Sequence, residues 1–240
     1  MRGKLAGIVA GALVCGGAAQ SAVKLAAVFA DRAVLQRDRP VCVWGTADAG
    51  EAVTVEFNGQ AKAAVADAQG RWRVTLDALT ACAEPREMTV RGSNAVKIKD
   101  VLVGDVWLCA GGLHVANRLE NLPPNVAAAR EAAKSEPAEP RLRLFAAKLK
   151  TARDVQPEAE GAWMTASGAM QSLPADGYYI GRKLVAELGV PVGVVSVAMA
   201  WPGQPIETWL SREALAANPA ARPILDYYAS DAWKMRTVGT

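Results

Sequence analysis

At Val101 the rhythm of the chain changes, and that change limits the folds open to it more than any other feature. Val101-Leu102-Val103-Gly104-Asp105-Val106-Trp107-Leu108-Cys109-Ala110 is a near-continuous apolar run closed by Gly111-Gly112. Such a run suits a strand buried on both faces of a parallel sheet. The preceding stretch, from Lys24 to about Lys99, reads differently. Val41 to Trp44, Ala52 to Phe57, Ala61 to Val65, Trp72 to Leu76, Met88 to Arg91 and Ala95 to Ile98 are short runs, several of alternating character. Turn sequences separate them, among them Asn58-Gly59, a strong hairpin signal because both positions tolerate positive φ. Short strands with frequent turns predict an antiparallel β-sandwich.

Beyond Gly112 the pattern alternates. Ala127 to Lys134 predicts a helix and Arg141 to Lys148 a second strand, while the polar stretch Thr151 to Gly161 reads as loop. Gly177 to Leu188 has helical spacing that puts Tyr178, Ile180, Leu184 and Leu188 toward one side. Gly189 stops it, Pro191 to Ala198 gives a third apolar strand, and Ser211 opens a further helix. Strand and helix in alternation is an α/β layout, with ligands expected at the carboxyl ends of the strands. About three parallel strands can be counted, fewer than the five or six of a typical sheet. The expected fold is therefore an all-β leader, a sandwich over residues 23–100, followed by an incomplete parallel α/β unit over residues 101–240.

Residues 1–22 read as a secretory leader. Arg2 and Lys4 form a basic start, Leu5 to Val14 an apolar run, and Gly16 to Ala22 a small-residue exit. The apolar run is too short to span a bilayer comfortably, so no transmembrane segment is expected after cleavage. Cys15 follows the bulky Val14, which disfavours lipid attachment there. The expected location is secreted or periplasmic. Cleavage leaves Cys42, Cys82 and Cys109, an odd number without CxxC pairing, expected as buried and inert thiols. The 27 basic and 24 acidic residues are spread along the chain without a basic, aromatic-studded cluster, so no nucleic-acid partner is expected. A single histidine, His114, limits the chemistry further, because any imidazole base would have to be that residue.

Several stretches in order carry a resemblance. They are Phe29-Ala30-Asp31-Arg32-Ala33-Val34-Leu35-Gln36-Arg37, Val43-Trp44-Gly45, Asp67-Ala68-Gln69-Gly70-Arg71-Trp72, Asp100 to Cys109, Arg143-Leu144-Phe145, Gly177-Tyr178-Tyr179 and Trp201 to Trp209. Over roughly residues 25 to 215 the chain resembles the sialate O-acetylesterases, within the SGNH (GDSL-like) hydrolase superfamily. The resemblance implies a flavodoxin-like α/β domain and hydrolysis of O-acetyl esters on sialic acid or other sugars, with no metal and no cofactor. An acetylated sugar or sialic acid is the implied ligand, and the oligomeric state stays open.

Three departures follow from the same comparison. The family strand ends in Ser-Gly-Gln-Ser-Asn-Met with the second serine as nucleophile, whereas here Ala110-Gly111-Gly112-Leu113-His114-Val115 stands in its place. Leu113 has no group that can attack a carbonyl, and His114 beside it has no hydroxyl there to deprotonate. The family's Trp-Gly-Gly-Thr turn, part of its oxyanion hole, corresponds to Trp201-Pro202-Gly203-Gln204, and proline has no N–H to donate. Gly203 and Gly112 remain as oxyanion-hole candidates, and Trp201, Trp209 and Gln204 as substrate-binding candidates. The family's Asp-x-x-His does not occur before Thr240, which predicts an inactive or truncated hydrolase, or else a carbohydrate-binding or assembly module. Glu207 with Asp105 as a carboxylate pair, and Trp163, Trp201 and Trp209 as a sugar platform, are weaker alternatives; Asp105 is expected to tie backbone amides and the tryptophans to pack a core. Expressed with its own leader in a secreting host, the chain should begin at a residue between Gln20 and Val23, as read by intact-mass spectrometry; retention of Met1 in exported protein would refute the leader.

Overall fold

The computed structural model describes residues 22–112, 115, 117–148, 158–166, 172–198 and 210–230. The leader expectation over residues 1–21, Cys15 included, lies outside them.

Strands β1 (Lys24–Leu25), β3 (Val41–Thr46) and β6 (Arg71–Leu76) form one antiparallel layer. β4 (Ala52–Phe57), β5 (Gln60–Val65), β7 (Cys82–Arg91) and the first half of β8 (Ala95–Gly111) form another. The alternation is what packs them. Trp72, Val74 and Leu76 of β6 point inward with their neighbours outward, and Val53, Val55 and Phe57 do the same from β4. All six join Val43, Met88, Val90 and Val101 in one buried cluster, closing the expected sandwich. Asn58 (φ 51°) and Gly59 (φ 77°) make the tight left-handed turn between β4 and β5 that their sequence signals.

β8 corrects the expectation of separate strands at Ala95–Ile98 and Val101–Ala110: it is one strand of 17 residues. It runs through the residue 100/101 boundary expected between two units. Its early half pairs antiparallel with β7; its later half pairs parallel with β11 (Val192–Ala198), in register from Asp105↔Val192 to Gly111↔Ala198. The direction changes at Asp100, which takes the left-handed φ of 58°. Its carboxylate accepts Arg143 Nη2 at 3.0 Å, and Arg143 is itself only 5% exposed. Burial pulls the Arg143 guanidinium below its ordinary value, while Asp100 works in the opposite direction.

The later sheet runs β10–β9–β11–β8, with β9 (Glu139–Ala147) parallel to β11 and β10 (Gly161–Ala166) antiparallel to β9. β2 (Val34–Gln36) adds a fourth parallel strand by pairing with β8 at Leu102–Gly104. Both β2 and β10 are strands that the sequence reading did not anticipate. Gly161, expected as the end of a loop, opens β10, because Trp163 on that strand has a core to enter. Residues 151–157 of that loop lie outside the described residues.

Helix α1 (Ala127–Ser135) precedes β9; α2 (Ala175–Leu188) covers one face of the sheet and ends on Gly189 in the left-handed conformation, φ 68°. Its buried side corrects the expected stripe. Ile180 and Leu188 are exposed, whereas Ala175, Gly177, Tyr178, Gly181 and Val185 face inward. Close approach explains this: a Cβ on Gly181 would collide with Leu142, and one on Gly177 would stand 2.9 Å from Leu144 Cδ2. Small residues let the helix lie close on β9 and β11, which a stripe of large side chains would prevent. Helices α3 (Arg212–Ala216) and α4 (Arg222–Ala229) follow, with Ser211 Oγ accepting the Ala214 N–H at 3.1 Å as the expected N-cap.

The other face of the sheet carries no described helix. The connection from β1 to β2 lies there, packing Ala27, Val28, Ala30 and Ala33 against Phe145, Trp163 and Val195. Trp163 Nε1 donates to Val28 O at 2.8 Å, which places Trp163 in a core rather than on an open platform. Where β2 ends, side chains continue its work. Gln36 Oε1 accepts the Val106 N–H at 2.9 Å, and Arg37 donates to both oxygens of Asp105, at 2.9 and 3.2 Å. Asp105 therefore grips a guanidinium, not backbone amides, and Arg37 holds its carboxyl below the usual aspartate range.

A depressed carboxylate adds stability above its unfolded pKa, about 3.9, and loses it as pH falls through the lower folded value. Arg37→Met should destabilise the protein at neutral pH, because it removes the partner that favours the ionised Asp105 carboxylate. Urea titrations from pH 6 downward should show the difference from the parent shrinking below pH ~4; an undiminished difference there would rule the ion pair out as its source.

Candidate active site at the strand tip

The parallel ladder delivers β8 and β11 to their carboxyl ends together, at Gly111 and Ala198. The chain then turns at once, for the Val115 N–H donates to Gly112 O at 3.1 Å and Val115 is buried. The next residues are bound to the segment entering α2. Leu119 N donates to Leu173 O at 3.0 Å, Ala175 N to Asn117 O at 2.9 Å, and Arg118 Nη1 to Ser172 O at 2.8 Å. The strand end and the bound return segment therefore meet at the sheet's carboxyl edge, where α/β proteins place their chemistry.

Of the residues singled out in sequence, Gly111, Gly112, Cys109 and Asp105 fall within this frame. A Cβ on Gly112 would meet nothing within 4 Å, so the position borders open space. Leu113, His114, Trp201, Pro202, Gly203, Gln204, Glu207 and Trp209 lie outside the described residues.

The expectation that the run Val101–Ala110 is buried on both faces holds only for its first part. Val101 to Gly104 are buried, but Trp107 is 49% and Leu108 69% exposed. α2 lies over β9 and β11, and the leader connection over Phe145 and Trp163. α2 reaches Cys109 in the later half of β8, while Trp107 and Leu108 stay exposed.

Cys109 is the nucleophilic atom nearest the tip on β8. It lies opposite the buried Ser196 of β11 in register and packs on the core that holds Leu144, Val194 and Tyr178. Burial raises its thiol pKa, and the negative charge of Asp176 adds to the effect. Both causes favour the thiol over the thiolate, the opposite of what a catalytic cysteine needs. Cys42, Cys82 and Cys109 are all free and partly buried, rather than fully enclosed as expected. Around α2, Tyr178 donates to Glu136 at 2.7 Å and Arg182 pairs with the same carboxylate at 2.8 Å. Burial and that hydrogen bond push the Tyr178 hydroxyl up to about 12, which makes it a structural donor at neutral pH.

Sequence reasoning missed the two guanidinium clamps, Arg37–Asp105 and Arg143–Asp100. An arginine at position 143 between two leucines in an apolar strand was the available signal, since a buried cation needs a partner.

The sialate O-acetylesterase of Rattus norvegicus is 29% identical over 204 residues, covering 77% of this chain and 36% of that protein. The Mus musculus protein of the same name is 27% identical over 210 residues, covering 77% of this chain and 37% of that protein. The crystal structure of XAC1771, a carbohydrate acetylesterase from Xanthomonas citri, aligns with a TM-score of 0.69 at 33% identity, over 83% of this chain. Over about three quarters of its length the chain is similar to the sialate O-acetylesterases. It spans less than half the length of each of these relatives, 45% in the case of XAC1771. No protein-family model matches the chain. No described helix is long and apolar enough to cross a membrane.

In a variant carrying Cys15→Ser, Cys42→Ser and Cys82→Ser, the remaining thiol, Cys109, should react more slowly with a disulfide reagent at pH 8 than free cysteine does. Its rate should keep rising above the ordinary cysteine pKa, and saturation near pH 7 would contradict the burial argument.

Proposed function

We propose that this chain has the framework of a carbohydrate O-acetylesterase, acting on O-acetyl groups of sialic acid or related sugars in its relatives, and that in its present sequence it does not hydrolyse them. The relatives' names and the order of shared motifs support the substrate class. The single observation that carries the second half is Leu113, which follows Gly111-Gly112 where the nucleophilic serine is expected. An acyl group must be transferred to an oxygen, sulfur or nitrogen atom, and leucine offers only carbon. The nearby Cys109 is kept in its unreactive protonated form. Pro202 weakens the case for turnover further if its position is an oxyanion donor, since losing one donor typically costs about a hundred- to a thousandfold in rate.

The same reading takes residues 1–22 as an export leader and the working compartment as periplasmic or extracellular. It also takes residues 23–100 and 101–240 as two units sharing one long strand. A second reading, a carbohydrate-binding or assembly module without catalysis, is favoured by the exposed apolar side chains of Trp107 and Leu108 on β8. Purified protein should release no p-nitrophenol from its acetate ester above the buffer rate. Turnover that disappears in His114→Ala would overturn the proposal of inactivity.

A further inference from the structure

One edge of β8 runs on past the strand that covers it. Leu102 N donates to Ala33 O at 2.9 Å and Gly104 O accepts the Arg37 N–H at 2.8 Å, so the even-numbered residues turn their backbone groups toward β2. Asp105 N donates the other way, to Pro191 O at 2.9 Å, where β11 begins. Sides alternate along a strand. β2 ends with Gln36 opposite Gly104, and the Gln36 side chain accepts the Val106 N–H one step further on. Beyond that point, among the described residues, nothing pairs with Val106 O, with the N–H and C=O of Leu108, or with Ala110 N.

This edge is also unguarded. Charged side chains, prolines and bulges usually keep a free edge from pairing with another chain. Val106 to Gly111 contains no charged residue and no proline, and its register with β11 runs without a shift. Both of its faces carry an exposed apolar side chain. Trp107 stands on the face of Cys109, toward α2, and Leu108 on the other, beside Val195.

We propose that this edge pairs with the same edge of a second copy of the chain, antiparallel about a two-fold axis at Leu108. The free groups are complementary to themselves in that arrangement. Each Leu108 N–H meets the partner's Leu108 C=O, and each Ala110 N–H meets the partner's Val106 C=O. The two Leu108 side chains come to lie directly opposite on one face, at cross-strand contact distance. No like charges are brought together, because Asp105 at the end of the paired segment is already neutralised by Arg37. The incoming strand continues the line of β2, and the turn in which Val115 N donates to Gly112 O takes each chain off the edge before it reaches the partner's Gln36. A closed two-fold contact of this kind uses one patch twice, so every substitution in it counts twice.

Sedimentation velocity of the full chain over about a hundredfold range of concentration tests the pairing, with a monomer–dimer equilibrium expected. Leu108→Lys and Leu108→Glu each put like charges opposite one another and should weaken the dimer at least about tenfold. Leu108 is exposed, so neither change disturbs the core. Mixing the two variants should restore dimerisation, because lysine then faces glutamate across the axis. Ala110→Pro removes an N–H that β11 does not use and should weaken the dimer by about the same factor, which gives a second reading if the Leu108 variants do not fold. A monomer at every concentration would overturn the proposal and leave the edge to a different polypeptide. So would a dimer indifferent to both Leu108→Lys and Ala110→Pro, or a mixture of the Lys and Glu variants that associates no better than either alone.

Discussion

One strand belongs to both halves of this protein, and the way it is held at its bend governs everything downstream. β8 leaves the sandwich core through Val101 and Val103 and reaches the strand tip at Gly111 without a break. Within the one sheet that runs through β8, Asp100 takes a left-handed backbone conformation that costs energy for a non-glycine residue. Arg143 from β9 holds Asp100, and Arg37 with Gln36 holds Asp105 and Val106 further along the strand.

The two clamps differ in what they ask of solvent. Arg143 is enclosed, so its ion pair with Asp100 must offset a desolvation cost that a surface pair would not meet. Arg37 and Asp105 stay partly wet, at 30% and 19% side-chain exposure, and their pairing adds orientation at modest energetic gain. Both tie residues far apart in sequence, 68 positions in the case of Arg37 and Asp105, so each closes a large loop of the fold. The early connection also replaces a helix layer: its alanines and Val28 cover Phe145, Trp163 and Val195, which a second-face helix would cover in a doubly wound sheet.

At the strand tip, the parallel ladder of β8 and β11 and the return segment bound to the entry of α2 are in place around Gly112. The thiol on the same strand, at Cys109, is stabilised in its protonated form by the packing that makes it part of the core.

Periodicity and turn chemistry were sufficient for most local structure. Asn58-Gly59 specifies its hairpin, Gly189 ends its helix and Ser211 caps the next, because each depends on backbone preferences within a few residues. The order of motifs was also sufficient for the likeness to the sialate O-acetylesterases, since identity at a position needs no coordinates. Long-range pairing was not accessible in this way. That Ala95 to Gly111 is one strand, that Val34–Gln36 joins it, and that Trp163 enters a core are all set by partners many residues away. The inward side of α2 likewise depended on its neighbour: hydrophobicity favoured Ile180 and Leu188, but contact distance to Leu142 and Leu144 selected Gly177 and Gly181. The open edge of β8 exists only because β2 stops at Gln36 while β11 takes the other side, and no local pattern carries that information.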